Sequence, residues 1–333
     1  MDPYKRTLRF GAAVIACAAV ARLGAGGAFR PLGDWFCRPE TQSFLLYLET
    51  GRKVRFLPSL DEISESVAVE TTVLETVPPA LPVFSPADVS LTEVRYSCSL
   101  RPDLATLMEQ PLSWDLRSPE PRVLILHTHA TESYTRQNEP YRESSAFRTL
   151  DENYNMISIG SRLAELLRAE GIGVIHDKAL HDYPSYNGSY NHARKSIQAI
   201  LEENPGICLV LDLHRDASGD LNNQFRPVTQ VDGADTARIM LVMGTDAAGL
   251  SHPDWEKNLS LGLKLQAQLE RLSPGITRPM SLRAQRFNQD LTPGSLLIEM
   301  GAAGNTHAEA LRAAEQLARA IIALSKGTES TAD

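Results

Sequence analysis

Two apolar runs decide the fold: Val123-Leu124-Ile125-Leu126, which leads into His127-Thr128-His129-Ala130-Thr131-Glu132, and Ile207-Cys208-Leu209-Val210-Leu211-Asp212-Leu213, which leads into His214-Arg215-Asp216. Short, continuous apolar runs of this kind are typical of strands that are buried on both faces of a sheet. Between them lie two segments with apolar side chains at helical spacing, residues 155–170 and 190–203, and a predicted strand at residues 172–175. This alternation of strand and helix predicts an α/β domain.

The same alternation continues toward the C-terminus. Residues 238–243 and 295–300 are predicted strands, and residues 255–272 and 306–324 are predicted helices. The expected fold is therefore α/β, a mostly parallel twisted sheet with helices on both faces. In such sheets, functional sites gather at the carboxyl ends of the strands.

The composition limits the class of protein. The 333 residues are 43% hydrophobic and 22% charged, which excludes a chain that is disordered throughout. The formal net charge of -8 gives no basic footprint, so we expect no nucleic-acid partner. The four cysteines form no C-x-x-C pair, which argues against a zinc ribbon and a dense disulfide framework.

The N-terminus has the pattern of a membrane anchor. Lys5, Arg6 and Arg9 precede an apolar stretch at residues 10–28, which is about long enough to span a bilayer as a helix. Basic residues before a span favour a cytoplasmic N-terminus, so we expect a single-pass protein whose bulk is extracytoplasmic. A cleaved signal peptide is the alternative, and it would also export the chain.

A proline-rich stretch, Pro78-Pro79-Ala80-Leu81-Pro82, indicates a spacer, because proline lacks a backbone donor and favours extended chain. Four segments are predicted: residues 1–28, the cytoplasmic tip and transmembrane anchor; residues 29–115, an extracytoplasmic linker or stalk; residues 116–327, the catalytic domain; and residues 328–333, a disordered tail.

Acid and imidazole groups stand at the ends of three predicted strands: His127, His129 and Glu132 after the first, His214 after the central one, and Glu299 in the last. Catalytic zinc sites use three such ligands and leave one position open, so His127, His129, Glu132 and His214 are the candidate ligands. Side chains two apart in an extended segment point the same way, which keeps both His127 and His129 as candidates. Glu299 is the candidate general base.

The chain resembles the stage II sporulation protein P family over roughly residues 117–324. The motifs that carry the resemblance are His127-Thr128-His129-Ala130-Thr131-Glu132-Ser133-Tyr134, Ile175-His176-Asp177, His181-Asp182-Tyr183-Pro184-Ser185-Tyr186-Asn187-Gly188-Ser189-Tyr190, Leu211-Asp212-Leu213-His214-Arg215-Asp216-Ala217 and Arg286-Phe287-Asn288-Gln289-Asp290-Leu291.

That family is related to the zinc-dependent N-acetylmuramoyl-L-alanine amidases. The resemblance implies a membrane-anchored, zinc-dependent peptidoglycan amidase that acts in septal wall thinning and engulfment during sporulation, and it leaves endopeptidase action on stem-peptide cross-links open. It also implies stage II sporulation proteins D and M as partners and the intermembrane septal space as the location. The alternative function is a non-catalytic wall-binding or scaffold module of the engulfment machinery.

By the same resemblance, the first histidine ligand falls on His127 or His129, the second on His214, and the catalytic glutamate on Glu299. The carboxylate ligand has two alternatives. A glutamate that opens the first long helix binds zinc in the broader amidase group, which points to Asp151 or Glu152 here. Glu132 is preferred because it lies in the motif of the closer family.

Loop residues complete the expected site. Their alternative roles are structural, because a turn-rich connection and an ion pair explain the same sequence. The expected substrate-binding residues are Arg215, Tyr186, Asn187, Arg286 and Asn288.

Overall fold

The computed structural model of the chain describes residues 83–112, 114, 116–135, 147–217, 219–220 and 223–326. Its strands are β1 (Val94–Ser97), β2 (Pro121–Leu126), β3 (Gly173–His176), β4 (Leu209–Asp216), β5 (Gly219–Asp220), β6 (Asn223–Gln224), β7 (Val228–Val231), β8 (Ala234–Ala237), β9 (Ile239–Met243), β10 (Met280–Arg283) and β11 (Ser295–Ala302). Its α-helices are α1 (Leu104–Glu109), α2 (Met156–Ala169), α3 (Ser189–Glu203), α4 (Trp255–Leu272) and α5 (His307–Lys326). Short 3-10 helices cover Pro86–Leu91 and Gln289–Leu291.

The central sheet has the strand order β1-β10-β9-β11-β4-β2-β3. Neighbouring strands are parallel except β9 and β11, which are antiparallel. The mostly parallel sheet that the sequence predicts is thus confirmed. The carboxyl ends of β2, β4 and β11 share one edge of this sheet with the amino end of β9, and this edge is called the carboxyl edge below.

Helices cover both faces of the sheet. Three of them, α2, α4 and α5, lie over one face and share a large apolar core with the sheet. On the other face, Ala193 and Ile197 of α3 pack against Leu124 and Leu126 of β2. Successive strand residues point to opposite faces, so Val123 belongs to the first core while Leu124 belongs to the second.

Helix α2 shows how the sequence sets these layers. Its N-cap is Asn155, whose side-chain oxygen accepts a hydrogen bond from the backbone N–H of Ile157. Gly171, with φ 78°, follows the helix where the chain must adopt a left-handed conformation. The buried stripe includes Met156, Ile159, Leu163 and Leu167, as the helical spacing predicts.

The folded domain begins earlier than the predicted boundary at residue 116. Strand β1 pairs in parallel with β10, and Phe84 and Met108 are buried in the large core. The side chain of Lys264 in α4 donates a hydrogen bond to the carbonyl of Leu107 in α1. The part of the predicted linker from residue 83 onward therefore belongs to the domain. In β1 only every second side chain is partly buried, so the sequence of this strand has no continuous apolar run.

Two further predictions concern the ends of the chain. The predicted anchor at residues 10–28 and the predicted tail at residues 328–333 lie outside the described residues. Among the helices that the structure describes, none has both the length and the apolar character required to cross a bilayer.

Candidate functional site

The central strands bring an imidazole and a carboxylate together at the carboxyl edge. His214 of β4 and Glu299 of β11 are direct partners in the parallel ladder between these strands. Asp212 lies two residues before His214 and therefore on the same face of the sheet. Its Oδ1 atom lies 3.0 Å from Nε2 of His214, and its two oxygens accept hydrogen bonds from the backbone N–H and the hydroxyl of Thr128. Asp212 thus ties the end of β2 to the end of β4.

The turn after β2 carries two more predicted site residues to the same place. The backbone N–H of Glu132 donates to the carbonyl of His129 at 3.1 Å, which closes the turn. The ring centroids of His129 and His214 lie 5.2 Å apart, with the rings nearly perpendicular. Oε2 of Glu132 lies 3.8 Å from Nδ1 of His214. His129, Glu132 and His214 therefore form one buried cluster beside Glu299.

The structure separates His127 from this cluster. Its Nδ1 atom lies 3.1 Å from the carbonyl oxygen of Leu213, and its Nε2 atom lies 2.9 Å from Nε2 of His176. The ring packs against Gly160 of α2, on the face of the sheet opposite to α3. The expectation that His127 and His129 point the same way was wrong, because β2 ends at Leu126 and the chain turns between the two histidines.

The charges of the cluster differ among its histidines. Burial opposes the protonated form of His214, but the carboxylates of Asp212 and Glu132 outweigh burial and raise its pKa to about 9. Burial, together with the positive charge of His214, lowers the pKa of His129 to about 3. These pKa shifts favour a neutral imidazole at His129 and a protonated one at His214, so a metal ion that binds His214 would have to displace a proton.

Glu299 sits in a different environment from the other carboxylates. Burial raises its pKa to about 8; the positive charge of His214 opposes this rise and the negative charge of Glu132 adds to it. Its Oε2 atom is buried without a hydrogen-bond partner. On the far side of β11, its ladder partner is Met240, which belongs to a small apolar cluster with Val242, Leu297 and Phe287. A carboxylate placed between an imidazole and an apolar surface is suited to exchanging protons near neutral pH.

Aromatic side chains from the loop before α3 and from its first turn line the cluster. The ring of Tyr186 stacks on His129 with centroids 4.5 Å apart and planes 14° apart. Tyr190 lies parallel to His214 at 6.4 Å. The hydroxyl of Ser189 lies 3.4 Å from Nδ1 of His129. This loop therefore fixes the orientation of both imidazoles.

The remaining predicted substrate residues are placed less centrally. Arg215 is buried and donates to the backbone carbonyls of Ser133 and Phe147, so it holds the fold of the turn. Asn187 is exposed in the loop before α3. Asn288 donates to the carbonyl of Tyr190.

Arg286 pairs with Asp290 at 3.1 Å and lies close to the carbonyl of Ser251. The alternative ligands Asp151 and Glu152 are exposed. The carboxylate of Asp151 caps its own turn by accepting from Asn153. The structure places neither carboxylate in the cluster of His129, Glu132 and His214.

Sequence reasoning missed three residues that hold this cluster: Asp212, Arg148 and Asp182. Asp212 carried a signal, because it lies two residues before His214 on a predicted strand. Asp182 lies in the motif at residues 181–190, which carries the family resemblance but gives no role to this aspartate. Arg148 carried no signal in the sequence, because an isolated β-bridge between separate segments brings it to Glu132.

The donor types of the cluster fit a zinc ion. Two imidazoles and one carboxylate are a known ligand set, and Oε2 of Glu299, the ladder partner of His214, is buried without a hydrogen bond. Two ligand atoms of one tetrahedral zinc ion lie about 3.4 Å apart, slightly less than the 3.8 Å between His214 and Glu132. Across the described residues, no three histidine, cysteine or acidic side chains already stand at metal-binding distances. Small side-chain movements would therefore be needed for a zinc ion to bind here.

In α/β domains with a mostly parallel sheet, functional sites lie at the carboxyl ends of the strands. This domain has its imidazoles and carboxylates at that edge, so it belongs to this class. The family model of stage II sporulation protein P matches residues 70–322, and the chain belongs to that family. A relative named stage II sporulation protein P, from Bacillus subtilis strain 168, is 26% identical over 207 residues. The match covers 59% of this chain and 49% of the relative, so the chain spans about half the length of that protein.

Several solved structures with partial likeness are amidases. An N-acetylmuramoyl-L-alanine amidase from Clostridium difficile 630 is 18% identical, with coverage of 62% of this chain and 94% of that chain and a TM-score of 0.35. The amidase AmiC2 of Nostoc punctiforme is 14% identical, with coverage of 60% and 95% and a TM-score of 0.36. The CwlD amidase from Clostridioides difficile, in complex with the GerS lipoprotein, is 18% identical, with coverage of 61% and 95% and a TM-score of 0.36.

Proposed function

We propose that the protein is a zinc-dependent peptidoglycan hydrolase that cuts the amide bond between N-acetylmuramic acid and L-alanine. The observation that supports this most strongly is the convergence of His129, Glu132 and His214 beside Glu299 at the carboxyl edge. Membership of the stage II sporulation protein P family supports a role in sporulation. Cleavage of stem-peptide cross-links is a second proposed activity of the same site.

In this proposal, His129, Glu132 and His214 hold the zinc ion, with Asp212 orienting His214 through its other ring nitrogen. The ion would supply Lewis-acid polarisation of the scissile carbonyl. His127 is not among the proposed ligands, because both of its ring nitrogens are engaged elsewhere.

Glu299 is the proposed general base and acid. Its carboxylate takes a proton from the attacking water as the oxygen bonds to the carbonyl carbon, and gives that proton to the amine nitrogen as the C–N bond breaks. A carboxylate must be ionised to begin this cycle. Positive charge on the His214 side lowers the pKa of Glu299, so cation binding there would favour the ionised form.

The location and the partners are also proposals. We propose a single-pass membrane protein with an extracytoplasmic catalytic domain, on the basis of the basic and then apolar N-terminus. Its proposed location in the intermembrane septal space rests on family membership. Stage II sporulation proteins D and M are proposed partners, on the basis of family membership alone.

Product analysis tests the proposed activity. The detergent-solubilised full chain is incubated with purified peptidoglycan, and the released peptides and glycan ends are identified by mass spectrometry, with and without a chelator that is later replaced by zinc. We expect free stem peptides that begin with L-alanine, their loss on chelation and their return with zinc. Binding to peptidoglycan with no cleavage under any metal would instead support a non-catalytic wall-binding module.

A further inference from the structure

A buried carboxylate outside the proposed ligand set lies at the centre of the loop before α3. The side chain of Asp182 has no exposed surface. Its oxygens accept the backbone N–H of Thr131 at 3.3 Å and the Thr131 hydroxyl at 2.6 Å. It also accepts a charge-assisted hydrogen bond from Nη1 of Arg148. Asp182 thus joins three segments that are distant in sequence: its own loop, the turn after β2 and the strand-like segment at Arg148.

Arg148 connects this carboxylate to the proposed metal ligands. Its Nη2 atom lies 3.5 Å from Oε1 of Glu132, a long contact, whereas its Nη1 contact with Asp182 is much shorter, at 2.5 Å. Its guanidinium group also lies over the ring of Tyr186, which stacks on His129. Asp182 therefore acts on the proposed ligands through Arg148, because it sets the position of a guanidinium group that lies near both Glu132 and the ring stacked on His129.

The charges around Glu132 explain why the position of Arg148 matters. Glu132 already accepts the backbone N–H of Arg215 and lies 3.7 Å from its guanidinium group. A second arginine in full contact would occupy the oxygens that a metal ion needs. The Arg148 side chain is 24% exposed, so its guanidinium is largely shielded from water, and without its carboxylate partner it should move to the nearest remaining one, because an unpaired, poorly solvated charge is costly. For Arg148, that carboxylate is Glu132.

We propose that Asp182 is a positioning residue that holds and neutralises Arg148, and so leaves the Glu132 carboxylate available to the metal ion. This inference rests on the proposed zinc site. It differs from a general structural role, since it assigns the loss of zinc affinity in a variant to a competing cation rather than to weaker folding.

The test measures zinc affinity by calorimetry in the metal-free, folded full chain. Asp182→Asn removes the charge and keeps the shape, and we expect zinc binding to weaken about 10- to 100-fold. Asp177→Asn is the matched control: Asp177 is a part-buried carboxylate that accepts from His181 and Ala179 in its own loop and from Ser196 in α3. We expect its zinc affinity to stay within about threefold of the unsubstituted chain.

A double variant decides whether the competing cation is the cause. Adding Arg148→Met to Asp182→Asn removes the guanidinium and should recover at least about tenfold of the lost affinity. Thermal unfolding of each metal-free variant shows that folded protein is being compared. Unchanged affinity in Asp182→Asn, an equal loss in Asp177→Asn, or no recovery in the double variant would each overturn the inference. Absence of zinc binding in the unsubstituted chain would instead refute the proposed function.

Discussion

Glu299 and His214 lie directly opposite each other in the parallel ladder between β11 and β4, with their side chains on one face of the sheet. The backbone register therefore fixes the distance between the proposed base and a proposed metal ligand, and no mobile loop intervenes. A substitution at either position changes the chemistry of the site and leaves the ladder hydrogen bonds intact.

Replacing Glu299 with Gln should stop the reaction and spare the zinc site. The amide has nearly the shape of the carboxylate but cannot accept a proton from water. General acid–base assistance contributes about 100- to 10,000-fold, so turnover should fall by at least about two orders of magnitude with unchanged zinc content. Turnover on defined muropeptides and metal analysis of the same preparation provide the two measurements.

Glu132→Gln is the matched comparison, because it makes the same chemical change 3.8 Å from His214. An amide is a poor zinc ligand, so zinc occupancy should fall first and activity in consequence. Loss of zinc in Glu299→Gln with retention in Glu132→Gln would reverse the two assignments. Retention in both variants would return Asp151 and Glu152 to consideration.

The pattern of apolar residues was sufficient to predict the strands and helices around the site. The run at residues 207–213 and the stripes of α2 and α4 are long and regular, and they lie where the sequence places them. The β7–β8 hairpin was missed, although its Asp232-Gly233 turn, with positive φ at both residues, is a strong hairpin signal.

The arrangement inside the site was less predictable. Periodicity of two holds only while the chain is extended, and the turn after Leu126 sends His127 and His129 to different places. Contacts between segments distant in sequence, such as Arg148 with Asp182, leave no periodic trace. The residue types of the site could be read from the sequence, whereas their pairing depended on the turns.

Lys264 should make the stability of the domain depend on pH. It is almost fully buried, at 1% exposure, and burial lowers its pKa from 10.5 to about 8. Between these values the unfolded chain binds a proton that the folded chain does not, so this group makes the free energy of unfolding rise with pH. Below about pH 8 the full penalty applies, and lowering the pKa from 10.5 to about 8 corresponds to between about 3 and 4 kcal/mol at most.

Lys264→Met should remove this penalty. The carbonyl of Leu107 keeps its hydrogen bond from Ser260, so no acceptor is left without a partner. In urea unfolding followed by tryptophan fluorescence, the variant should be more stable than the unsubstituted chain at pH 7, and the difference should shrink toward pH 10.5. A difference that is the same at both pH values would show that folding does not lower the pKa of Lys264.

The N-terminal segment should hold the chain in the membrane. Residues 10–28 are apolar except for Arg22 and follow three basic residues, so the full chain should remain with the membrane fraction after washing with high salt. Protease added to spheroplasts should digest the bulk of the chain. A chain that starts at residue 29 behind an unrelated cleavable signal is the control and should be released. A mature form that begins near Gly24 would contradict the anchor.

Gly160 provides a test of the position of His127. A Cβ atom at this position of α2 would lie 2.5 Å from Nε2 of His127 and 2.6 Å from Nε2 of His176. Alanine in place of glycine favours a helix by about 1 kcal/mol, whereas overpacking costs about 1–3 kcal/mol. The cost of overpacking should exceed the gain from the helix preference, because His127 is fully buried and lies against the carbonyl of Leu213. Gly160→Ala should therefore lower the thermal unfolding temperature.

Ser161→Ala is the control in the same helix, where the helix preference for alanine acts at a half-buried position. It should unfold at the same temperature as the unsubstituted chain or slightly above. Zinc affinity then shows whether His127 or His129 is the metal ligand. With His127 outside the proposed ligand cluster, Gly160→Ala should bind zinc as tightly as Ser161→Ala while it remains folded, since the clash displaces His127 and not His129. A Gly160→Ala protein that is folded but has lost zinc affinity would identify His127 as a ligand in place of His129.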